Sequence, residues 1–295
     1  MMSRILLLLT LFLAVPGVAA AQTAQPPFQS SRIVVTSQGR GPDVILIPGL
    51  ASTSEIWRRT ADRLDDRYRV HLVSIRGFGD IPPGANGQGP IAGPVADELR
   101  RYILSQRLGR PAIVGHSMGG LIALKVASDA PSAVGRVMVV DAAPFFPALI
   151  SAGATVGDVE PLARIAYQAL MFLGDDVLRQ QGEAMGLQLG GASDSLFGAM
   201  GWQGGDRATL AQGLYEVMTT DLRSRLPGIT APVTVVYGWS PDDASPRAHV
   251  DGLFRASYAS LRPPARFEPI EGAEHMVMID QPTRFMTALN RFLSP

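Results

Sequence analysis

The run Gly115-His116-Ser117-Met118-Gly119-Gly120 holds the residues whose spacing most directly indicates chemistry. An apolar, strand-like run at 111–114 precedes it, and a helix-like run at 121–127 follows it. A G-x-S-x-G pattern between a strand and a helix predicts a nucleophile elbow, a tight turn that exposes the serine hydroxyl. Small residues are needed there because the strand and the helix pass close to each other. Ser117 is therefore a candidate nucleophile. The alternative is a glycine-rich turn in a redox or nucleotide-binding α/β protein.

A serine nucleophile needs a base to take its proton, and the chain contains four histidines. His71 lies inside a strand-like run and is expected to be packed, while His116 is the variable residue of the elbow. His275 lies in a short loop after the last strand-like run. Sheet topology puts that loop at the carboxyl edge, where Ser117 also lies and where open α/β sheets bind ligands. We expect His275 to be the general base, with His249, in a helical stretch, as the alternative.

The base in turn needs a carboxylate to orient it, expected between the serine and the histidine in chain order. The strand-like run 233–237 is followed by a loop with two adjacent carboxylates, Asp242 and Asp243. One of them is expected to accept a hydrogen bond from the imidazole and to stabilise its cation. Asp242 is the first choice and Asp243 the second. Asp141, at the end of a neighbouring strand-like run, is the third, and the sequence leaves the choice open.

Acyl transfer also requires two backbone N–H groups that face the carbonyl oxygen as it becomes negative. One is expected from Met118, the residue after the nucleophile. The other should come from the turn that follows the second strand-like run, where Gly49 allows close approach and Leu50 is the best candidate. Taken alone, the Pro48-Gly49 pair would be an ordinary strand-ending turn.

These residues lie among alternating strand-like and helix-like segments. Strands are predicted at 32–36, 43–47, 68–75, 112–114, 136–140, 233–237 and 265–270, and helices at 54–64, 94–108, 117–130 and 282–293. Near-continuous apolar strands indicate burial on both faces. The pattern therefore predicts an α/β fold with a mainly parallel, doubly wound sheet. Residues 144–215 contain no convincing strand, and we interpret them as an inserted helical cap; the alternative is additional core helices.

Composition narrows the classes of partner and cofactor. The chain has 295 residues, a formal net charge of zero and no cysteine. Without a basic run, nothing suggests a nucleic-acid partner. Without cysteine, disulfides and thiolate metal sites are excluded, and the four histidines show no H-x-x-x-H spacing. We expect neither metal nor organic cofactor, and the sequence does not indicate an oligomeric state.

The N-terminus has the pattern of a secretory signal peptide at residues 1–21. A positively charged start is followed by an apolar core at 5–15, a Pro-Gly break and an Ala-Ala-Ala cleavage site before Gln22. The core is shorter than the ~20 residues that span a membrane, although a retained anchor is the alternative. We expect a secreted or periplasmic mature protein without a stable membrane span.

The chain resembles the α/β-hydrolase fold superfamily, in its cap-bearing branch of small serine hydrolases of the esterase and lipase type. The resemblance covers nearly all of the mature chain. The resemblance rests on residues 47–50, 76–79 and 115–120, the loop to Asp242, and residues 272–275. It implies a triad of Ser117, His275 and an acid, with a core at 22–143 and 216–295 and a cap at 144–215. The chain departs from many relatives in having Pro48 where they have histidine, and in a longer acid loop.

The expected function is hydrolysis of a carboxylic ester or related acyl bond through an acyl-enzyme, on a small and apolar substrate. A serine at the elbow argues against dehalogenase and epoxide hydrolase chemistry, which needs a carboxylate nucleophile. C–C bond hydrolases and cofactor-free haloperoxidases use similar residues and remain alternatives. A homologue that binds ligands without turnover is a third possibility.

Overall fold

The structure is a computed structural model that describes residues 28–172, 204–241 and 245–294. The predicted signal peptide at 1–21 therefore lies outside the described residues. So do the acid candidates Asp242 and Asp243, and residues 173–203 of the expected cap.

A single seven-stranded sheet organises the described chain, in the order β1-β3-β2-β4-β5-β6-β7. The strands are β1 (Ile33–Gly39), β2 (Asp43–Ile47), β3 (Arg69–Ile75), β4 (Ala112–His116), β5 (Arg136–Val140), β6 (Val233–Trp239) and β7 (Arg266–Glu271). Only the pairing of β1 with β3 is antiparallel among these strands. The prediction of a mainly parallel α/β sheet is confirmed.

The central strands are apolar on both faces because helices cover both faces. Successive side chains of a strand point to opposite sides of the sheet. Ile45 and Ile47 of β2 accordingly join one apolar cluster, while Val44 and Leu46 join the other. This two-sided burial explains the near-continuous apolar runs in the sequence.

The helices of the described chain alternate with the strands, as the sequence pattern predicts, and the last two follow the final strand. They are α1 (Arg58–Ala61), α2 (Ala92–Ser105), α3 (Met118–Asp129), α4 (Val156–Phe172), α5 (Arg207–Thr219), α6 (Arg247–Ser257), α7 (Val277–Asp280) and α8 (Pro282–Leu293). The predicted helix at 54–64 begins instead as a 3-10 helix, Ser54–Trp57, before α1. No helix in the described ranges is both long and apolar enough to span a membrane.

The segment between β5 and β6 contains α4 and α5, which pack against each other. Helix α5 also reaches the carboxyl edge of the sheet. A Cβ atom placed on its Gly213 would lie 2.6 Å from Leu50 Cδ1 and 3.7 Å from Met118 Sδ. Helix α5 therefore covers the turn after β2 and the start of α3. It continues to Thr219, beyond the predicted cap boundary at 215. The assignment of 144–215 as a cap stays a prediction.

Candidate active site

Ser117 lies at a sharp turn between β4 and α3. Its φ and ψ angles are 54° and −124°, a conformation that costs of order 1–3 kcal/mol for a residue with a side chain. The backbone around it maintains this geometry: Ser117 N–H donates to the Val140 carbonyl at 2.9 Å, and Gly120 N–H donates to the Ser117 carbonyl at 2.8 Å. This is the strand-turn-helix geometry that the G-x-S-x-G pattern predicts.

The elbow packs directly against the turn that follows β2, and two glycines allow this approach. A Cβ atom on Gly119 would lie 2.5 Å from the carbonyl oxygens of Ile47 and Pro48. A Cβ atom on Gly49 would lie 3.0 Å from Ser117 Cβ. The next residues of this turn, Leu50 and Ala51, therefore lie at the same edge of the sheet as the serine.

Two sequence-predicted amide donors lie at this contact. Met118 is the first residue of α3, so its N–H belongs to the helix start and has no intrahelical acceptor. Leu50 lies in the turn across from it, and the side chains of both residues approach Gly213 of α5. Ala51 has a φ of 57°, which makes it a second left-handed, non-glycine residue at this edge.

His275 lies in the loop between β7 and α7, and its imidazole contacts a carboxylate. The His275 Nδ1 to Asp141 Oδ2 distance is 2.7 Å. The other carboxylate oxygen of Asp141 accepts the Gly238 N–H at 3.2 Å. A carboxylate can only accept, so Nδ1 must carry the hydrogen, and Nε2 of the neutral ring keeps its lone pair. The side chains of His275 and Asp141 are 28% and 20% exposed, which leaves them open to solvent.

Asp141 is held by the backbone on each side of it. It follows β5 with a φ of 47°, and its N–H donates to the Val236 carbonyl at 2.7 Å. The hydroxyl of Tyr258, a buried residue after α6, donates to the carbonyl of Ala142 at 2.8 Å. Burial, together with the nearby charge of Asp141, raises the pKa of Tyr258, so this hydroxyl stays protonated as a donor.

The loop of His275 is tied to its surroundings by further hydrogen bonds. Gly272 N–H donates to the Trp239 carbonyl at 2.8 Å, and Glu274 N–H donates to Asp280 Oδ2 at 2.9 Å. The ring of His116 contacts the carbonyl of His275 itself, with an Nε2 to oxygen distance of 2.9 Å. The position of the imidazole therefore depends on contacts from β4, β6 and α7.

The other histidines lie elsewhere. His71 is buried in β3, where its Nε2 donates to Asp43 at 2.9 Å and its Nδ1 accepts from the Tyr102 hydroxyl at 2.7 Å. His249 is exposed on α6, beside a cavity of about 270 Å³. Among the described residues, no group of three or more acidic or histidine side chains could hold a metal ion. The expectation of no metal and no cofactor stays a prediction.

Asp141 is the acid candidate that the structure brings to His275, while Asp242 and Asp243 lie outside the described residues. Asp141 is the third choice in the sequence-based prediction because chain order does not show which loops meet. One signal does favour it: Asp141 directly follows a strand next to that of the elbow, and His116 and Val140 are register partners.

The chain is similar to known hydrolases over most of its length. Residues 44–288 match the Alpha/beta hydrolase family. A pimeloyl-[acyl-carrier protein] methyl ester esterase of Aliivibrio fischeri (strain MJ11) is 27% identical over 269 residues, which cover 88% of this chain and 96% of that protein. The enzyme of the same name from Yersinia pestis bv. Antiqua (strain Angola) is 30% identical over 262 residues, which cover 85% of this chain and 92% of that protein.

Solved structures agree on the fold. A hydrolase from Pseudomonas aeruginosa PA01 superposes with a TM-score of 0.66 at 21% identity, covering 89% of this chain and 94% of that one. An enol-lactonase from Burkholderia xenovorans LB400 superposes with a TM-score of 0.65 at 18% identity, covering 89% of this chain and 96% of that one. This chain belongs to the alpha/beta hydrolase family. Within that family it is a carboxylic ester hydrolase, the class that its esterase relatives represent.

Proposed function

We propose that this protein is an exported serine esterase in which Ser117 is the nucleophile, His275 the general base and Asp141 the acid. One observation carries the proposal. The His275 Nδ1 to Asp141 Oδ2 contact of 2.7 Å lies at the sheet edge where the elbow presents Ser117. Asp141 takes the place that Asp242 or Asp243 has in the sequence-based prediction.

The mechanism follows from these positions. Ser117 attacks the ester carbonyl while His275 Nε2 takes the hydroxyl proton, and Asp141 stabilises the imidazolium. The N–H groups of Leu50 and Met118 hold the oxyanion, and each such donor lowers the barrier by ~3 kcal/mol. His275 then returns the proton to the leaving alcohol. Water activated by His275 hydrolyses the acyl-enzyme and releases the acid.

A small, apolar ester is the proposed substrate. Apolar side chains lie beside the elbow, since Leu50 Cδ1 and Met118 Sδ both lie close to Gly213 of α5. The relatives from Aliivibrio and Yersinia are methyl ester esterases, so a methyl ester of an acyl chain is the first compound class to test. Dimethyl pimelate and p-nitrophenyl esters of increasing acyl length cover this range.

Replacing Ser117 with alanine tests the nucleophile. We expect the wild type to hydrolyse at least one of these esters and to be labelled by a fluorophosphonate probe, because the probe reacts with an activated serine. Ser117→Ala should lose both labelling and turnover while keeping the wild-type circular dichroism spectrum. Ester hydrolysis by the folded Ser117→Ala variant would contradict the mechanism. Labelling without turnover of any ester would instead favour C–C bond hydrolysis on the same residues.

Export is proposed from the N-terminal sequence alone. A positively charged start, an apolar core and an Ala-Ala-Ala site before Gln22 support cleavage of residues 1–21. When the full chain is expressed in a Gram-negative host, we expect the mature protein in the periplasm or the medium with Gln22 as its first residue, determined by N-terminal sequencing. Recovery of the uncleaved chain in the membrane fraction would support a retained anchor instead.

A further inference from the structure

His116 is a buried histidine for which the proposed mechanism has no role. It is the last residue of β4 and has no exposed surface. Its ring lies between two loops of the site: its Nδ1 is 3.0 Å from where a Cβ on Gly49 would be, and its centroid is 4.6 Å from that of His275. The ring therefore fills the space between the turn after β2 and the loop of His275.

The hydrogen bond of this ring is directed at the backbone of the proposed base. His116 Nε2 is 2.9 Å from the carbonyl oxygen of His275. A carbonyl oxygen only accepts, so Nε2 carries the hydrogen. The opposite nitrogen, Nδ1, is buried without a hydrogen-bond partner among the described residues.

This arrangement has an energetic cost that an apolar residue would avoid. A buried polar atom that has given up its hydrogen bond to water and gained no partner destabilises the folded chain. Burial, and then the neighbouring His275, lower the pKa of His116 well below its usual value, so the ring is neutral at pH 7. A neutral ring with hydrogen on Nε2 keeps the donor directed at the His275 carbonyl.

We propose that His116 is a positioning residue that holds the backbone of His275, so that the imidazole stays between Asp141 and Ser117. His116 acts through His275 and does not contact the substrate. The side chain of His275 is anchored on one side by Asp141, and its backbone is anchored on the other side by His116. This inference rests on the proposed esterase mechanism.

Two variants distinguish the effect of the hydrogen-bond donor of His116 from the effect of the volume of its ring. His116→Gln keeps an N–H group that can reach the carbonyl, whereas His116→Leu has a similar apolar bulk and no donor. We expect His116→Leu to lower kcat about 10- to 100-fold with KM changed less than about 3-fold, because a small displacement of a catalytic group slows the chemistry. His116→Gln should recover most of the lost kcat. The rate of fluorophosphonate labelling should follow kcat in both variants.

A spectroscopic measurement reports the position of His275 without substrate. A proton shared between an imidazole nitrogen and a carboxylate has a low-field proton resonance. The wild type and His116→Gln should both show this resonance for His275, and it should be lost or broadened in His116→Leu. Unfolding curves of each variant show whether it is folded under the assay conditions.

The other outcomes distinguish a failure of the positioning role of His116 from a failure of the esterase mechanism. Wild-type kcat in His116→Leu, or equal losses in the Leu and Gln variants, would overturn the positioning role while leaving the esterase mechanism in place. If His116→Leu does not fold, His116→Asn replaces it, since its shorter amide does not reach the carbonyl. Equal kcat for the Asn and Gln variants would then overturn the role. A wild type with neither labelling nor turnover would refute the proposed mechanism, and this inference with it.

Discussion

Three residues with side chains adopt left-handed backbone conformations at the carboxyl edge of the sheet. Ala51, Ser117 and Asp141 have φ angles of 57°, 54° and 47°. Such conformations cost of order 1–3 kcal/mol each and persist only where the surrounding structure holds them, often at active sites. Here the elbow, the turn after β2 and the end of β5 are held by backbone hydrogen bonds and close packing. The strain therefore marks the positions of the proposed nucleophile, its oxyanion turn and its acid.

The assignment of the acid leads to a prediction at the scale of single residues. Asp141→Asn keeps the size of the side chain but removes the charge that stabilises the imidazolium and selects its tautomer. We expect kcat for an ester substrate to fall ~10⁴-fold, as when other triad carboxylates are replaced by amides. Steady-state kinetics of the purified variants would measure this loss.

Asp242→Asn and Asp243→Asn are the matched controls for this experiment. We expect both to keep near-wild-type kcat. A large loss in either of them, with little change in Asp141→Asn, would return the acid to the loop after β6. The contact of Asp141 with His275 would then be structural.

At the scale of elements, α5 is joined to the sheet domain by a buried carboxylate. Glu216 of α5 accepts the backbone N–H groups of Ile91 and Ala92, at 2.8 and 2.7 Å, where α2 begins. Gln212 Nε2 also donates to it at 2.6 Å. The negative charge suits the positive end of α2, and the bonds satisfy N–H groups that a helix start leaves unpaired. Glu216 therefore fixes the helix that covers the elbow against the core.

Replacing this carboxylate should weaken the whole fold. Glu216→Gln keeps the size of the side chain but loses the charge and one acceptor. We expect the free energy of unfolding to fall by ~1–3 kcal/mol, the range for losing hydrogen bonds to a buried charged group. Urea denaturation would measure this loss of stability.

Glu98→Gln, which removes an ion pair with Arg101 on the exposed side of α2, is the control. It should lower the free energy of unfolding by less than ~1 kcal/mol. Equal losses would contradict a special role for Glu216.

At the scale of the whole molecule, two buried histidines link stability to pH. Burial lowers the pKa of His71 below 6.5, although its contact with Asp43 acts in the opposite direction. Burial also lowers the pKa of His116, and His275 lowers it further. Burial raises the pKa of Tyr102 to about 12, so its hydroxyl remains a donor to His71 across the accessible pH range. Both rings are therefore neutral in the native protein at pH 7.

The sign of the resulting pH dependence follows from linkage. A histidine with a lowered native pKa binds more protons in the unfolded chain, so stability falls as the pH falls below about 6.5. The contribution of neutral His71 and His116 is complete above that pH. We expect the free energy of unfolding to decrease between pH 6.5 and pH 5.5, and His71→Gln to reduce this slope.

Urea denaturation at each pH would measure the effect. His249→Gln, at an exposed position of α6, is the control and should keep the wild-type slope. A stability that rises on acidification below pH 6.5, or an unchanged slope in His71→Gln, would contradict this account.

Most of the sheet could be predicted from local sequence because its signals are local. The predicted bounds at 43–47 and 136–140 agree with β2 and β5, since apolar runs buried on both faces end at polar or glycine-containing turns. The segment after β2 differs from its prediction: residues 54–57 have the spacing of an α-helix but form a 3-10 helix. The antiparallel pairing of β1 with β3 is also a tertiary feature, because direction in a sheet depends on which strand is the neighbour.

Local sequence predicts the elbow around Ser117, the loop that carries His275 and the apolar strands of the sheet. Each of these depends on residues that are close along the chain. Tertiary folding brings Asp141 to His275 across 134 residues of chain, because the two follow β5 and β7 in the strand order β5-β6-β7. It likewise decided that the ring of His116 contacts the His275 backbone, a contact between residues 159 positions apart. Such distances cannot be read from chain order or composition, because contacts of this kind depend on which strands pair and in which register.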